Sequence, residues 1–176
     1  AGVTYSSNDG GSMLFNGGST ATVNLLNSAF AALTNNFSVE FWYKSTNNRP
    51  GLMANGSGSN GFVFGYYTLT GTSFKVSKYG RVDLNSGTIP QNTAWHQAVL
   101  TYSSTTGTLV YIDGAISSPT SANTSNLAVG SSTFNIGRSE GNYHNGSMGI
   151  VRWYNTVLSA DDVAQNFSAD RSRYGI

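Results

Sequence analysis

Cysteine is absent from the 176 residues of this chain, so no disulfide staples the fold; the same absence leaves the compartment open, because cysteine-free chains occur on both sides of a membrane. Charge is scarce too. Asp, Glu, Lys and Arg make up 10% of the residues and the formal net charge is +1, which removes the electrostatic case for a nucleic-acid or anionic-membrane partner. No apolar run approaches the length of a spanning helix, so membrane insertion is not expected. The N-terminus does not read as a signal peptide, and any such peptide is expected to end before Ala1. Solenoid periods and heptads are also missing.

Asn, Ser, Thr and Gly together approach half of the chain, alongside 12% aromatic and 39% hydrophobic residues. That mixture suits short strands joined by many turns, with enough core formers for one folded domain. The strand from Phe37 to Lys44 alternates cleanly: Phe37, Val39, Phe41 and Tyr43 share one face, the core face, and Ser38, Glu40, Trp42 and Lys44 share the other. Strands are also expected at 12–16, 20–23, 52–54, 62–69, 73–77, 81–84, 95–102, 108–114 and 134–137, separated by Asn-Gly and similar turns. Residues 25–33 read as a turn-like connector and 117–126, with Pro119, as a long polar loop. Residues 1–11, with Val3 and Tyr5 alternating, are an arm or an edge strand; 12–176 form the domain.

Near the C-terminus, Met148 to Asn155 reads as a strand that runs into a helix start. Ser159 can accept from the Asp162 N–H, Asp161 and Asp162 place negative charge at the positive end of the dipole, and Leu158 can staple to Val163. Val163 and Phe167 give the short helix its apolar face.

Three ordered segments carry a family resemblance: Phe37 to Lys44; Trp95-His96 through Tyr102, followed by Tyr111-Ile112-Asp113-Gly114; and Gly146, Val151-Arg152-Trp153-Tyr154-Asn155 and Leu158-Ser159. The chain resembles the laminin G-like domains of the concanavalin A-like lectin/glucanase superfamily over nearly its whole length. The resemblance implies an all-β fold: a jelly-roll β-sandwich of two curved antiparallel sheets with a short C-terminal helix.

The superfamily includes glucanases, and retaining glycosidases need two carboxylates about 5 Å apart. Here Glu40, Asp83, Asp113 and Glu140 are isolated in sequence, and Asp161-Asp162 are explained by capping, so an enzyme is not expected. His96 alternates with Ala98, Leu100 and Tyr102 and reads as a hydrogen-bonded sheet histidine. Asp113 fits its Asp-Gly hairpin turn. Calcium is the cofactor the resemblance implies, with Asn8-Asp9, Glu140 and nearby Gly-turn carbonyls as candidate ligands.

Sugar recognition combines an aromatic platform with amide, hydroxyl or carboxylate partners. Tyr66, Tyr67, Tyr79, Trp42 and Tyr143 supply candidate platforms, and the loop from Arg138 to Asn145 offers Arg138, Glu140, Asn142, Tyr143, His144 and Asn145 as ligand-binding residues. His144 reads there as a residue of a solvated hairpin. Gly149-Ile150 departs from the acidic pair common in the family, and an outward Ile150 would expose apolar surface suited to a subunit contact. Val3 and Tyr5 could add to a neighbouring sheet edge. Sequons occur at Asn36, Asn55, Asn123, Asn145 and Asn166.

These residues point first to a non-enzymatic glycan-binding or adhesive module displayed extracellularly or on a virion surface. The alternative is a structural subunit or decoration protein that binds other copies of itself or a host assembly; a glycoside hydrolase or lyase ranks last.

Overall fold

The computed structural model describes residues 2–25, 36–46, 50–55, 62–66, 73–78, 82–90, 92–121, 134–139 and 142–176. Its strands are β1 (Val3–Ser6), β2 (Ser12–Asn16), β3 (Val23–Leu25), β4 (Asn36–Ser45), β5 (Gly51–Asn55), β6 (Phe62–Tyr66), β7 (Ser73–Lys78) and β8 (Val82–Thr88). They continue as β9 (His96–Ser103), β10 (Gly107–Ile112), β11 (Ala115–Ser121), β12 (Phe134–Ile136), β13 (Arg138–Ser139), β14 (Asn142–Tyr143) and β15 (Asn145–Tyr154), and helix α1 (Ala160–Asp170) closes the chain with a 3-10 turn at Arg171–Tyr174. One sheet has seven strands in the order β1-β2-β15-β4-β9-β10-β11, the other six in the order β3-β12-β5-β6-β7-β8, and β13-β14 form a separate small ribbon. All pairings are antiparallel.

The alternating face of β4 does what its pattern predicts. Phe37, Val39, Phe41 and Tyr43 enter a core shared with Met53, Phe64, Phe74 and Val76 of the six-stranded sheet and with Leu100 and Tyr102 of β9. Burial of such side chains contributes about 1.5 to 3 kcal/mol each. Within the N-terminal stretch, Val3–Ser6 form the outer strand β1, which pairs with β2 in the register Val3↔Phe15 and Tyr5↔Met13.

The opposite face of β4 is equally buried, because α1 and the C-terminal turn lie across it. Ser38, Glu40 and Trp42 are all 0% exposed. Trp42 is therefore not an open platform: its indole stacks between Phe167 at 5.6 Å and Tyr174 at 4.5 Å. The helix begins as its residues dictate, with a capping box in which Ser159 accepts from the Asp162 N–H and Asp162 accepts from the Ser159 N–H. Leu158 and Val163 share one apolar cluster with Val99 and Tyr111.

Two further expectations are corrected. Of the expected loop 117–126, residues 117–121 belong to strand β11 and 122–126 lie outside the described residues; β11 is the outer strand of its sheet, with a register shift between Thr108 and Val110 of β10, and an edge tolerates Pro119 because its missing N–H takes nothing from a ladder. Ile150 is not outward apolar surface. Between the pairs Tyr43↔Met148 and Phe41↔Val151, two residues of β15 stand opposite the single residue Trp42. This bulge turns Ile150 onto the Trp42, Trp95 and Tyr174 cluster, and its N–H donates to the Tyr174 hydroxyl at 2.9 Å. Gly149 is needed beside it, since a Cβ there would lie 2.2 Å from that hydroxyl.

Of the connector 25–33, residues 26–33 lie outside the described residues, as do Tyr67, Tyr79, Asn123 and Glu140.

Candidate functional site

Arg138–Ser139 and Asn142–Tyr143 pair as the β13–β14 ribbon, which leads through His144 into β15 and forms the rim. Gly137, at φ +89°, ends β12 and sends the chain into the ribbon; its N–H donates to the Leu52 carbonyl at 3.0 Å, which ties the ribbon's base to β5. Arg138 stands directly across from Tyr143, and Ser139 from Asn142. The Arg138 guanidinium carbon sits 5.9 Å from the centre of the Tyr143 ring, a cation–π contact. Both residues are half-buried, as are Asn142 and Asn145. The Asn142 amide nitrogen is shielded from solvent and makes no hydrogen bond.

Asn145 opens β15 directly opposite Asn16, the last residue of β2. Its carbonyl accepts from both the N–H and the hydroxyl of Thr46, at 2.8 and 3.0 Å. Asn16, itself exposed, accepts from the Gly18 N–H through Oδ1 at 3.0 Å, an Asx-type turn. Ser147 follows on the same face of β15 and pairs with Lys44 on one side and Leu14 on the other. The rim thus gathers one aromatic ring, a guanidinium, three amides, hydroxyls and one exposed Leu14.

His144, the single residue between β14 and β15, is fully buried, contrary to its reading as a residue of a solvated hairpin. Strand alternation explains this: Tyr143, Asn145 and Ser147 face out, so His144, Gly146 and Met148 face in. Its ring meets Phe15 edge-on at 5.5 Å, and Nε2 reaches the Ser147 carbonyl at 3.2 Å. Burial pushes its pKa down to about 4, outweighing the Ser147 and Lys44 carbonyls, which favour the protonated ring. Burial also takes His144 out of reach of a ligand. Gly146, at φ +142°, leaves no room for a side chain, because a Cβ would lie 2.0 Å from the Lys44 carbonyl oxygen.

Asp9 and Glu140 were the candidate calcium ligands. Among the described residues no three His, Cys, Asp or Glu side chains gather. At the Asp9 turn the carbonyls of Asp9, Gly10 and Gly11 already accept from the Arg173 guanidinium, so an arginine supplies there the positive charge that a cation would bring. The residues described do not fit calcium.

Glu40 is the residue whose surroundings its sequence neighbours did not reveal. It accepts hydrogen bonds from Trp42, Gln97, Arg152, Tyr154 and Asn166 at 3.0 to 3.2 Å. Arg152 also binds Asp170 of α1. Burial, and then the Glu40 charge, push the Tyr154 hydroxyl up to about 12. Asn166 gives its amide to Glu40 and Tyr154, so this sequon is closed in the folded chain. His96 is likewise tied in, to Asp113 at 2.7 Å and Asn92 at 2.8 Å, and Asp113 takes the left-handed conformation (φ 50°) that its Asp-Gly turn requires.

A family model described as the concanavalin A-like lectin/glucanases superfamily matches residues 15–164. A search of curated proteins finds no match. Among solved structures, the chain is similar to domain 4 of an extracellular GH43 arabinanase from Geobacillus stearothermophilus, in complex with arabinotriose. The TM-score is 0.72 at 16% identity, covering 94% of this chain and 81% of that one. It is similar to the sialidase of Trypanosoma rangeli (TM-score 0.69, 16% identity, 98% of this chain and 29% of that one). It is also similar to botulinum neurotoxin type C, whose cell entry depends on interaction with two ganglioside molecules (TM-score 0.69, 12% identity, 96% of this chain and 44% of that one). At such identities the likeness is one of fold.

Proposed function

Because the chain belongs to the concanavalin A-like lectin/glucanase superfamily, we propose that it is a non-catalytic carbohydrate-binding module that takes an oligosaccharide at the β13–β14 rim and works outside the cell. The observation that carries this reading is the placement of Tyr143 and Arg138 beside Asn142, Asn145 and Asn16. A sugar ring offers apolar C–H faces to an aromatic ring and hydroxyls to the half-buried and exposed amide side chains of Asn145 and Asn16. The solved complex with arabinotriose and the dependence of the toxin on gangliosides are properties of those proteins; they support the ligand class without specifying it.

The non-catalytic part of the reading rests on the carboxylates. Glu40 and Asp170 approach one another through their shared Arg152, yet Glu40 is wholly buried beneath α1. Asp113 is held by His96, and Asp162 by its cap. A glycosidase pair must reach the scissile bond together; the burial of Glu40 and the local engagement of Asp113 and Asp162 support a non-catalytic reading.

A glycan array probed with the purified chain tests the proposal. We expect saturable binding to one oligosaccharide class, weakened about ten-fold or more by Tyr143→Ala and by Asn142→Ala, which corresponds to about 1.4 kcal/mol. A flat array across broad glycan classes would remove the reading.

One observation favours a second reading, self-association in a surface assembly. β1 is an outer strand with no charge and no proline, and Tyr5 on it is 77% exposed, whereas native edges are usually guarded. Sedimentation decides it: the chain should form oligomers that Tyr5→Lys disperses, and a monomer at high concentration counts against it.

A further inference from the structure

His144 is the pivot on which the rim ribbon hangs. Its N–H donates to the Gly137 carbonyl at 2.8 Å, and its own carbonyl accepts from the Gly17 N–H at 2.9 Å. Its ring adds the bond to Ser147 and the edge contact with Phe15. Backbone and side chain of one residue thus tie the ribbon to β12, to the end of β2 and to β15. There is no slack in this packing: a Cβ on Gly137 would stand 2.4 Å from the Phe15 ring.

The ring is built for the neutral form. Nε2–H donates to the Ser147 carbonyl, so Nδ1 carries the lone pair, and Nδ1 is buried without a hydrogen-bond partner. A second proton has to go on Nδ1, where it creates a buried charge whose desolvation outweighs what the nearby carbonyls of Ser147 and Lys44 return. From β2 the ring meets Phe15, from β4 the backbone of Lys44 and from β15 the backbone of Ser147; among the described residues no carboxylate acts on it, and the balance is set by burial against two carbonyls.

We propose that His144 is a positioning residue that makes the rim acid-releasable: a proton on Nδ1 unseats the ring, the β13–β14 ribbon lifts from β2, and Arg138, Asn142, Tyr143 and Asn145 no longer face one ligand together. The last step, ligand release, rests on the carbohydrate-binding reading; the lifting of the ribbon does not. The depressed value of about 4 in the closed state, against about 6.5 for a hydrated imidazole, sets the size of the effect. By linkage, the opening equilibrium of the ribbon rises about 20-fold between pH 7 and pH 5.

Hydrogen exchange of the Gly17 and His144 amides reads this directly. These amides are expected to be less protected than those of β4 and β9 at both pH values, because the ribbon opens as its own unit. Their protection should fall about 20-fold from pH 7 to pH 5 in the wild type and stay constant in His144→Gln, which keeps an N–H donor and cannot titrate. Protection unchanged by pH, an equal fall in His144→Gln, or values that coincide with those of β4 and β9 would each overturn the proposal. Imidazole nitrogen NMR on the unmodified chain needs no variant: the His144 ring should titrate near pH 4, and a midpoint at the free-histidine value refutes the device. The oligosaccharide selected on the array at pH 7 should then be released by pH 5 from the wild type and retained by His144→Gln. A flat array with acid-sensitive amides removes the carbohydrate reading and leaves the switch standing.

Discussion

Glu40 is a carboxylate with no access to water whose oxygens are met by side-chain donors. A buried carboxylate without partners would neutralise or unfold the region around it; here five side chains donate to it, and Arg152 brings a compensating charge. Removing one partner of such a set usually costs about 3 to 5 kcal/mol, because the rest are left desolvated and unpaired. Glu40→Ala is therefore expected to lower the unfolding free energy by that amount in a urea titration, and a loss below about 1 kcal/mol would show that water replaces the carboxylate. The partners of Glu40 lie as far as Arg152, Tyr154 and Asn166 along the chain, which is why the alternation of β4 could mark its core face and could not say what covers the other. Asp113 was legible for the opposite reason: its turn is local, and the Asp-Gly pair states its conformation.

At the level of elements, what could be read locally is what the structure contains. The β4 alternation, the Trp95-His96 strand and the Ser159 cap each need only a few neighbouring residues. Ser159→Ala should cost about 1 kcal/mol, seen as a lower thermal midpoint without change of fold. What escaped depends on contacts between distant segments. β11 is polar and carries a proline, and it is a strand because β10 offers it a partner. The burial of His144 follows from where β2 and Phe15 lie. The bulge at Gly149-Ile150 is set by Tyr174, more than twenty residues on. Gly146→Ala tests the rim ribbon at this scale. Its backbone conformation and the Lys44 carbonyl leave no room for a methyl, so it should cost about 1 to 3 kcal/mol and weaken glycan binding although residue 146 itself faces inward.

For the molecule as a whole, acid is the revealing variable. His144 titrates at about 4 in the native chain and near 6.5 when unfolded, so between those values the unfolded chain binds more protons. Its contribution to stability is present in full above pH 6.5 and is withdrawn as pH falls towards 4, by about 3 kcal/mol at the limit. Urea midpoints measured across that window should fall with pH in the wild type and hold steadier in His144→Gln. The two sheets, their shared core and the C-terminal helix follow from patterning that runs the length of the chain. The rim depends on which loops come to one end of the sandwich, and sequence order does not state that.

Tyr174 sits between two of the three tryptophans of the chain, 4.5 Å from each ring. The third, Trp153, packs against Phe134 in the sandwich core. Light emitted by Trp42 and Trp95 therefore reports whether the C-terminal turn is seated. Buried indoles emit at shorter wavelength than hydrated ones, so detachment of residues 171–176 should appear as a red shift and a loss of near-ultraviolet circular dichroism while the sheet signal persists. The closing segment carries its own optical gauge, and no label is needed to follow it.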